Sequence, residues 1–231
     1  RAKGSSLQYG QDRPITITGI AKGSGMIKPN MATMLAYIAT DAKIDNELLH
    51  RALRLACDKS FNRITVDSDT STNDSVVLVA TGASGVVIDE DTFESFVGHL
   101  TDIFIQLAQA IIRDGEGASK FVSVAIEGAL DESEALQVAY TIAESPLVKT
   151  ALSASDPNWG RILAAIGRAG IDNLDVDQVQ ILLNDVLIAD QGARAPSYTE
   201  ADGQRAMQPE DITITVRLNR GNNSATVWTT D

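Results

Sequence analysis

A single cysteine, Cys57, stands in 231 residues, so no internal disulfide can form and nothing asks for an oxidising compartment. Beside it are only two histidines, His50 and His99, which argues against a His/Cys zinc site of the usual kind. Both histidines fall in helix-like segments among polar or charged neighbours. A Ser-His-Asp triad would require one of them to swing off its helix toward a loop serine. Basic charge is scarce too: 19 Lys and Arg against 31 Asp and Glu give a net charge of -12, and the cations are scattered singly. Nucleic acids and anionic membranes are held by clustered cations, so neither is expected as a main partner. No apolar run of membrane length and no signal-peptide pattern is visible, and the first residue is Arg1. A reduced cytoplasm is the expected compartment.

What is present is the composition of a globular protein, 44% apolar and 22% charged, enough for one large or two small cores. Residues 1–13 read as a loop or mobile arm, followed by an alternating strand from Pro14 to Ile20 and a second strand from Met34 to Thr40. Asp45 caps a helix to about Asp58, and Ile64-Thr65-Val66 is a short strand candidate. Val76–Ala80 is apolar throughout and reads as a strand covered on both faces. Asp91 with Glu94 gives a capping-box signature for a long helix, along which Phe93, Phe96, Leu100, Phe104, Leu107 and Ile111 make a core-facing stripe. Strand Phe121–Ile126, a helix from Asp131 to Glu144, and short helices begun by Ser145-Pro146 and Asp156-Pro157 follow. Asn184-Asp185 joins two short strands in a hairpin, Ala193–Gln208 reads as a polar loop, and a closing hairpin turns at Asn222-Asn223. Strands and helices mix without a regular βαβ beat, and no linker or repeat divides the sequence. The expected fold is α/β of the α+β type, a layered sandwich of mixed sheets and helices.

The stretch that concentrates chemistry is Lys22-Gly23-Ser24-Gly25-Met26-Ile27-Lys28-Pro29-Asn30-Met31-Ala32-Thr33-Met34-Leu35. A glycine- and proline-bearing turn delivers one hydroxyl, that of Thr33, to the mouth of an apolar strand. On the residues alone three readings stand. A phosphate cradle lacks the third glycine and the Gly-Lys-Ser/Thr ending. A plain turn entering a strand needs nothing further. The third makes Thr33 a nucleophile, unmasked by cutting the bond before it.

Two other polar stretches stand out. Asp67-Ser68-Asp69-Thr70-Ser71-Thr72-Asn73-Asp74 suggests a solvated turn or a hydrogen-bonding scaffold, and it lacks the internal glycine and closing glutamate of a Ca²⁺ loop. Arg113-Asp114-Gly115-Glu116-Gly117-Ala118 reads either as a helix C-cap turn or as a junction that holds the Glu116 carboxylate exposed.

Taken together with Asp156-Pro157-Asn158-Trp159-Gly160-Arg161-Ile162, these stretches resemble, in order and over nearly the whole sequence, the ornithine acetyltransferase (glutamate N-acetyltransferase) family of arginine biosynthesis. The resemblance implies a precursor that cuts itself between Ala32 and Thr33. Residues 1–32 would then be the end of an α chain, and residues 33–231 a β chain without the family's C-terminal tail. The two would assemble as α2β2. It further implies acetyl transfer from N-acetylornithine to glutamate through an acetyl ester on Thr33, with no metal or organic cofactor. Some members also accept acetyl-CoA as donor. Lys22 matches a substrate-binding lysine of the family and Glu116 its substrate-binding glutamate. The family's Thr-Gly oxyanion pair, a further substrate-contacting threonine and a substrate-binding asparagine are expected outside this sequence. The alternatives are an aminopeptidase or amidohydrolase of similar architecture, with water as acceptor, and a binding module that keeps the scaffold without the chemistry.

Overall fold

The computed structural model describes residues 3–9, 14–28, 34–70 and 73–231, and the chain forms two compact units, Arg1–Glu116 and Gly117–Asp231. The sequence reading expected no internal division, because Gly115-Glu116-Gly117 is too short to differ from an ordinary helix-ending turn.

The first unit is built on a four-stranded mixed sheet in the order β1 (Lys3–Tyr9), β2 (Ile15–Lys22), β3 (Leu35–Thr40) and β4 (Ser75–Ala80). β1 and β3 flank β2 antiparallel, and β4 runs parallel to β3. β1 corrects the reading of residues 1–13 as an arm: its backbone pairs with β2 from Lys3 opposite Ala21 to Tyr9 opposite Ile15. Backbone pairing needs no apolar alternation, so composition did not reveal it.

Ile15, Ile17, Ala21, Ala36 and Ile38 alternate onto the buried face of this sheet. Helix α1 (Asn46–Asp58) starts where the Asp45 carboxylate accepts the N–H groups of Glu47 and Leu48, both at 2.9 Å. Helix α2 (Glu90–Arg113) starts earlier than the sequence suggests, because Asp89 and Thr92, not Asp91 and Glu94, form the capping box. α2 lies against β1 and β2, and Phe104 meets the Phe61 ring at 5.3 Å between centroids. By length and composition α2 could cross a membrane, yet Phe93, Phe96, Leu100, Ile103, Phe104 and Leu107 are buried within the unit. Each such side chain contributes about 1.5–3 kcal/mol by leaving water, so the stripe is a core feature, as expected.

Two expectations in this unit are corrected. Ile64–Val66 is not a strand: Phe61–Arg63 forms a 3-10 turn and the chain then bends into the polar loop. β4 is not covered on both faces. It is the last strand in the sheet order, and its Val77 and Val79, with Ile20 and Tyr37, are 38%, 48%, 56% and 51% exposed.

The second unit has a six-stranded mixed sheet in the order β10 (Asn223–Thr230), β5 (Phe121–Ala129), β9 (Asp211–Arg217), β6 (Gln180–Leu183), β7 (Val186–Asp190), β8 (Ala193–Arg194). β6 and β7 form the expected hairpin, with Asn184 at a φ of 50°. The closing hairpin is corrected, because β5 inserts between β9 and β10, parallel to the first and antiparallel to the second. The connection presses on the end of β5. A Cβ on Gly221 would lie 2.3 Å from the Ala129 carbonyl oxygen, so only glycine fits.

Helices α3 (Glu132–Ala143), α4 (Pro146–Ser153) and α5 (Trp159–Gly167) are capped by Asp131, Ser145 and Asn158. α3 packs on β5 and β10 through Ala135, Val138, Ala139 and Ile142, all buried. The segment read as a polar loop contains β8 and helix α6 (Glu200–Ala206), started by a Thr199 cap. Its apolar side chains are too few for a helical period to show in sequence.

Candidate active site

The site is built where β2 ends. Lys22 is its last residue, paired in register with Leu35 at the start of β3, so the glycine-rich stretch is the connection between two antiparallel neighbours. Alternation along β2 puts Lys22 on the same exposed face as Ile20. After Lys22 the chain leaves the sheet through Gly23, Ser24 and Gly25, and Met26 takes the left-handed conformation at a φ of 54°.

Asp67, the first residue of the polar loop, fixes this turn. Its two carboxylate oxygens accept the N–H groups of Met26, at 2.5 Å, and Ile27, at 3.1 Å. The Ile27 carbonyl in turn accepts the Val66 N–H at 2.8 Å, and the Ile27 side chain is buried. At the other end of the polar loop, Asp74 accepts the N–H of Met34, while the Met34 carbonyl accepts the Ser75 N–H at 3.0 Å. The run of Asp, Ser, Thr and Asn is thus a hydrogen-bonding scaffold, with its first and last carboxylates on the two flanks of residues 28–33. The sequence marks the scaffold as a block. It does not mark which aspartates do the holding, since every residue there carries a side-chain oxygen that could accept an N–H.

Glu116 is brought to the same loop. Its N–H donates to the Ser24 carbonyl at 2.8 Å, and its exposed side chain reaches Gly25, where a Cβ would stand 3.0 Å from Glu116 Oε2 and 3.8 Å from Asp67 Oδ2. Glycine at position 25 leaves that space open between two carboxylates. Gly117, at a φ of 77°, turns the chain away immediately afterwards. Both readings of the 113–118 stretch therefore apply: it ends α2 and it presents a carboxylate.

Of the residues singled out in sequence, Lys22 and Glu116 both belong to this loop region, Lys22 by chain position and Glu116 by its bond to Ser24. Ala32 and Thr33 lie outside the described residues. Asp156–Ile162 belongs to the second unit, where Asn158 accepts the Arg161 N–H at 3.1 Å and starts α5, and Arg161 donates to the Leu147 carbonyl and to Thr150. His50 is exposed on α1, and Cys57 is a poor nucleophile, because burial, with a smaller contribution from Asp58, pushes its thiol up to about 12. Among the described residues no group of three or more His, Cys, Asp or Glu side chains is gathered as a metal-ligand set.

Comparison with known proteins agrees over the whole length. A family model described as the ArgJ family matches residues 1–231. "Arginine biosynthesis bifunctional protein ArgJ" of Pseudomonas fluorescens (strain Pf0-1) is 53% identical over 99% of this chain, and the protein of the same name from Pseudomonas syringae pv. tomato (strain ATCC BAA-871 / DC3000) is 52% identical over 99%. The chain spans 58% of the length of each of these relatives. A crystal structure of arginine biosynthesis bifunctional protein argJ from Bacillus halodurans superposes with a TM-score of 0.82 at 36% identity, covering 86% of this chain and 94% of that one.

Proposed function

The chain belongs to the ArgJ family, and from that premise we propose that it is the part of an acyltransferase of arginine biosynthesis that carries the nucleophile Thr33. The observation that carries this reading is the match over residues 1–231 to a family whose relatives bear the name arginine biosynthesis bifunctional protein. The geometry at the two ends of the β2–β3 connection supports it: Lys22, Glu116 and Asp67 lie at its start and Asp74 at its end.

The first reaction is self-cleavage. The Thr33 hydroxyl attacks the Ala32 carbonyl carbon, the C–N bond breaks, and the nitrogen takes up the proton. Ala32 is thereby transferred to the Thr33 oxygen as an ester, which water hydrolyses to a free Ala32 carboxylate and a free Thr33. The new α-amine, whose unperturbed pKa is about 7.7–8.0, can then act as base for the hydroxyl of the same residue. This answers a puzzle of composition, since a chain with two helix-borne histidines still has a base for acyl transfer.

In the transfer reaction the hydroxyl attacks the acetyl carbonyl of N-acetylornithine, the amide nitrogen leaves protonated as ornithine, and Thr33 holds the acetyl as an ester. The amine of glutamate then attacks that ester and restores the hydroxyl. Lys22 suits the α-carboxylate common to both substrates, and Glu116 the cationic end of ornithine. Acetyl-CoA as a second donor, an α2β2 assembly of the cleaved chains and a cytoplasmic location belong to the same proposal.

The test is acetyl transfer by the full-length enzyme from labelled N-acetylornithine, with and without glutamate. Labelled N-acetylglutamate, with little free acetate, is the expected product. Acetate release at the same rate whether or not glutamate is present would assign the chemistry to a hydrolase instead.

A further inference from the structure

Met34 is held at both of its backbone polar groups and by its side chain. Asp74 accepts its N–H, Ser75 donates to its carbonyl at 3.0 Å, and its side chain is 1% exposed. The next residue, Leu35, is in register with Lys22 on one side and Ser75 on the other. A residue one peptide upstream of Met34 is therefore separated from a fixed frame by a planar amide and only two soft torsions, its own ψ and the φ of Met34.

This has a different weight before and after chain cleavage. In the precursor the residue before Met34 has covalent tethers on both sides. Once the Ala32–Thr33 bond is cut, only the Met34 side remains. The bonds of Asp67 fall on Met26 and Ile27, in the piece that cleavage separates, whereas the bond of Asp74 falls on the piece that keeps the nucleophile. Resting on the acyltransferase reading, we propose that Asp74 is a positioning residue for both reactions of Thr33: by fixing the Met34 N–H it anchors the start of the piece that carries the nucleophile. Positioning of this kind acts on the chemical step, where a displacement of about 1 Å costs on the order of 10²-fold, and leaves substrate affinity nearly alone.

The experiment uses full-length protein with Asp74→Ala, Asp74→Asn and Asp74→Glu. Splitting before Thr33 is followed by denaturing mass spectrometry, kcat and both KM values are measured on fully split enzyme, and Tm is measured on each variant. Asp74→Ala is expected to slow splitting at least about 10-fold and to lower kcat about 10- to 100-fold, with both KM values within about 3-fold of the parent. Asp74→Asn keeps an acceptor oxygen in the same place and is expected within about 3-fold of wild type throughout. Asp74→Glu keeps the charge but moves the acceptor by one methylene, so it should lose activity at unchanged Tm; it decides the matter if Asp74→Ala does not fold. Wild-type rates in Asp74→Ala or Asp74→Glu, or a loss confined to KM, would overturn the proposal alone. An Asp74→Asn variant as impaired as Asp74→Ala, with losses that follow Tm, would also overturn it by assigning Asp74 to stability. A wild-type chain that neither splits nor transfers acetyl overturns the reading beneath it as well.

Discussion

The N–H of Glu116 donates to the carbonyl oxygen of Ser24 at 2.8 Å, which ties the turn that follows α2 to the loop that begins just beyond Lys22. Two residues 92 positions apart in sequence are thus linked by backbone at the same turn, with Gly25 leaving room between the Glu116 and Asp67 carboxylates.

That link gives a prediction on substrate recognition. On the proposed acyltransferase reading, Glu116→Gln preserves shape and the backbone bond while removing the charge that would face ornithine, so the KM for N-acetylornithine should rise about 10-fold, the equivalent of about 1.4 kcal/mol, with kcat within about 3-fold. On the same reading, in which Lys22 holds the α-carboxylate of both substrates, Lys22→Met should raise the KM for N-acetylornithine and for glutamate by a similar factor. Steady-state kinetics on the full-length enzyme checks both.

Asp67→Ala strips the acceptor from the N–H groups of Met26 and Ile27 and from that of Asp69, which Asp67 also receives at 3.2 Å. Asp67 and Met26 are exposed, so water replaces much of what is lost, and the expected cost in stability is about 1 kcal/mol. The proposed self-cleavage should slow more than that figure alone implies, because the turn that begins the β2–β3 connection loses its anchor. A time course of fragment appearance beside urea melts of the same sample separates the two effects.

The features legible in sequence were those with a local cause. The α2 stripe, the Asp45, Asp131 and Ser145 caps, the Asn184-Asp185 hairpin and the mixed-sheet architecture all follow from spacing and turn chemistry among near neighbours. What sequence hid depends on distant partners. β1 is polar and is a strand because β2 lies beside it; the closing strands are not neighbours because β5 takes the place between them. Lys22 and Glu116 were visible as motif residues, while Asp74 emerged only once the Met34 N–H was seen to point at it.

Stability of the second unit has its own test. Arg220 pairs with Glu134 through Nε at 3.1 Å and a second nitrogen at 3.3 Å, and also donates to the carbonyls of Asn173 and Asp172. The two side chains are only 15% and 11% exposed, so Arg220→Met strands the Glu134 carboxylate and should cost about 3 kcal/mol. Pairing it with Glu134→Leu should recover part of that loss, because the uncompensated charge is then gone. Denaturant melts of the two single variants and the double variant measure the coupling.

Cys57 should be inert in the folded protein. With its thiol pushed up to about 12, roughly one molecule in ten thousand carries the thiolate at pH 8. Alkylation by iodoacetamide should be slow in native buffer and become fast on unfolding in urea, with acetyl transfer unchanged by the native treatment.

The most direct measurement of the central claim is denaturing mass spectrometry of the full-length protein, followed by brief exposure to N-acetylornithine without glutamate. Two fragments divided between Ala32 and Thr33 are predicted, with one acetyl group on the fragment that begins at Thr33 and its loss when glutamate is added; Thr33→Ala should remain a single unacetylated chain. A wild-type chain still intact after prolonged incubation, or an acetyl group that forms on Thr33→Ala as readily as on wild type, would contradict the account.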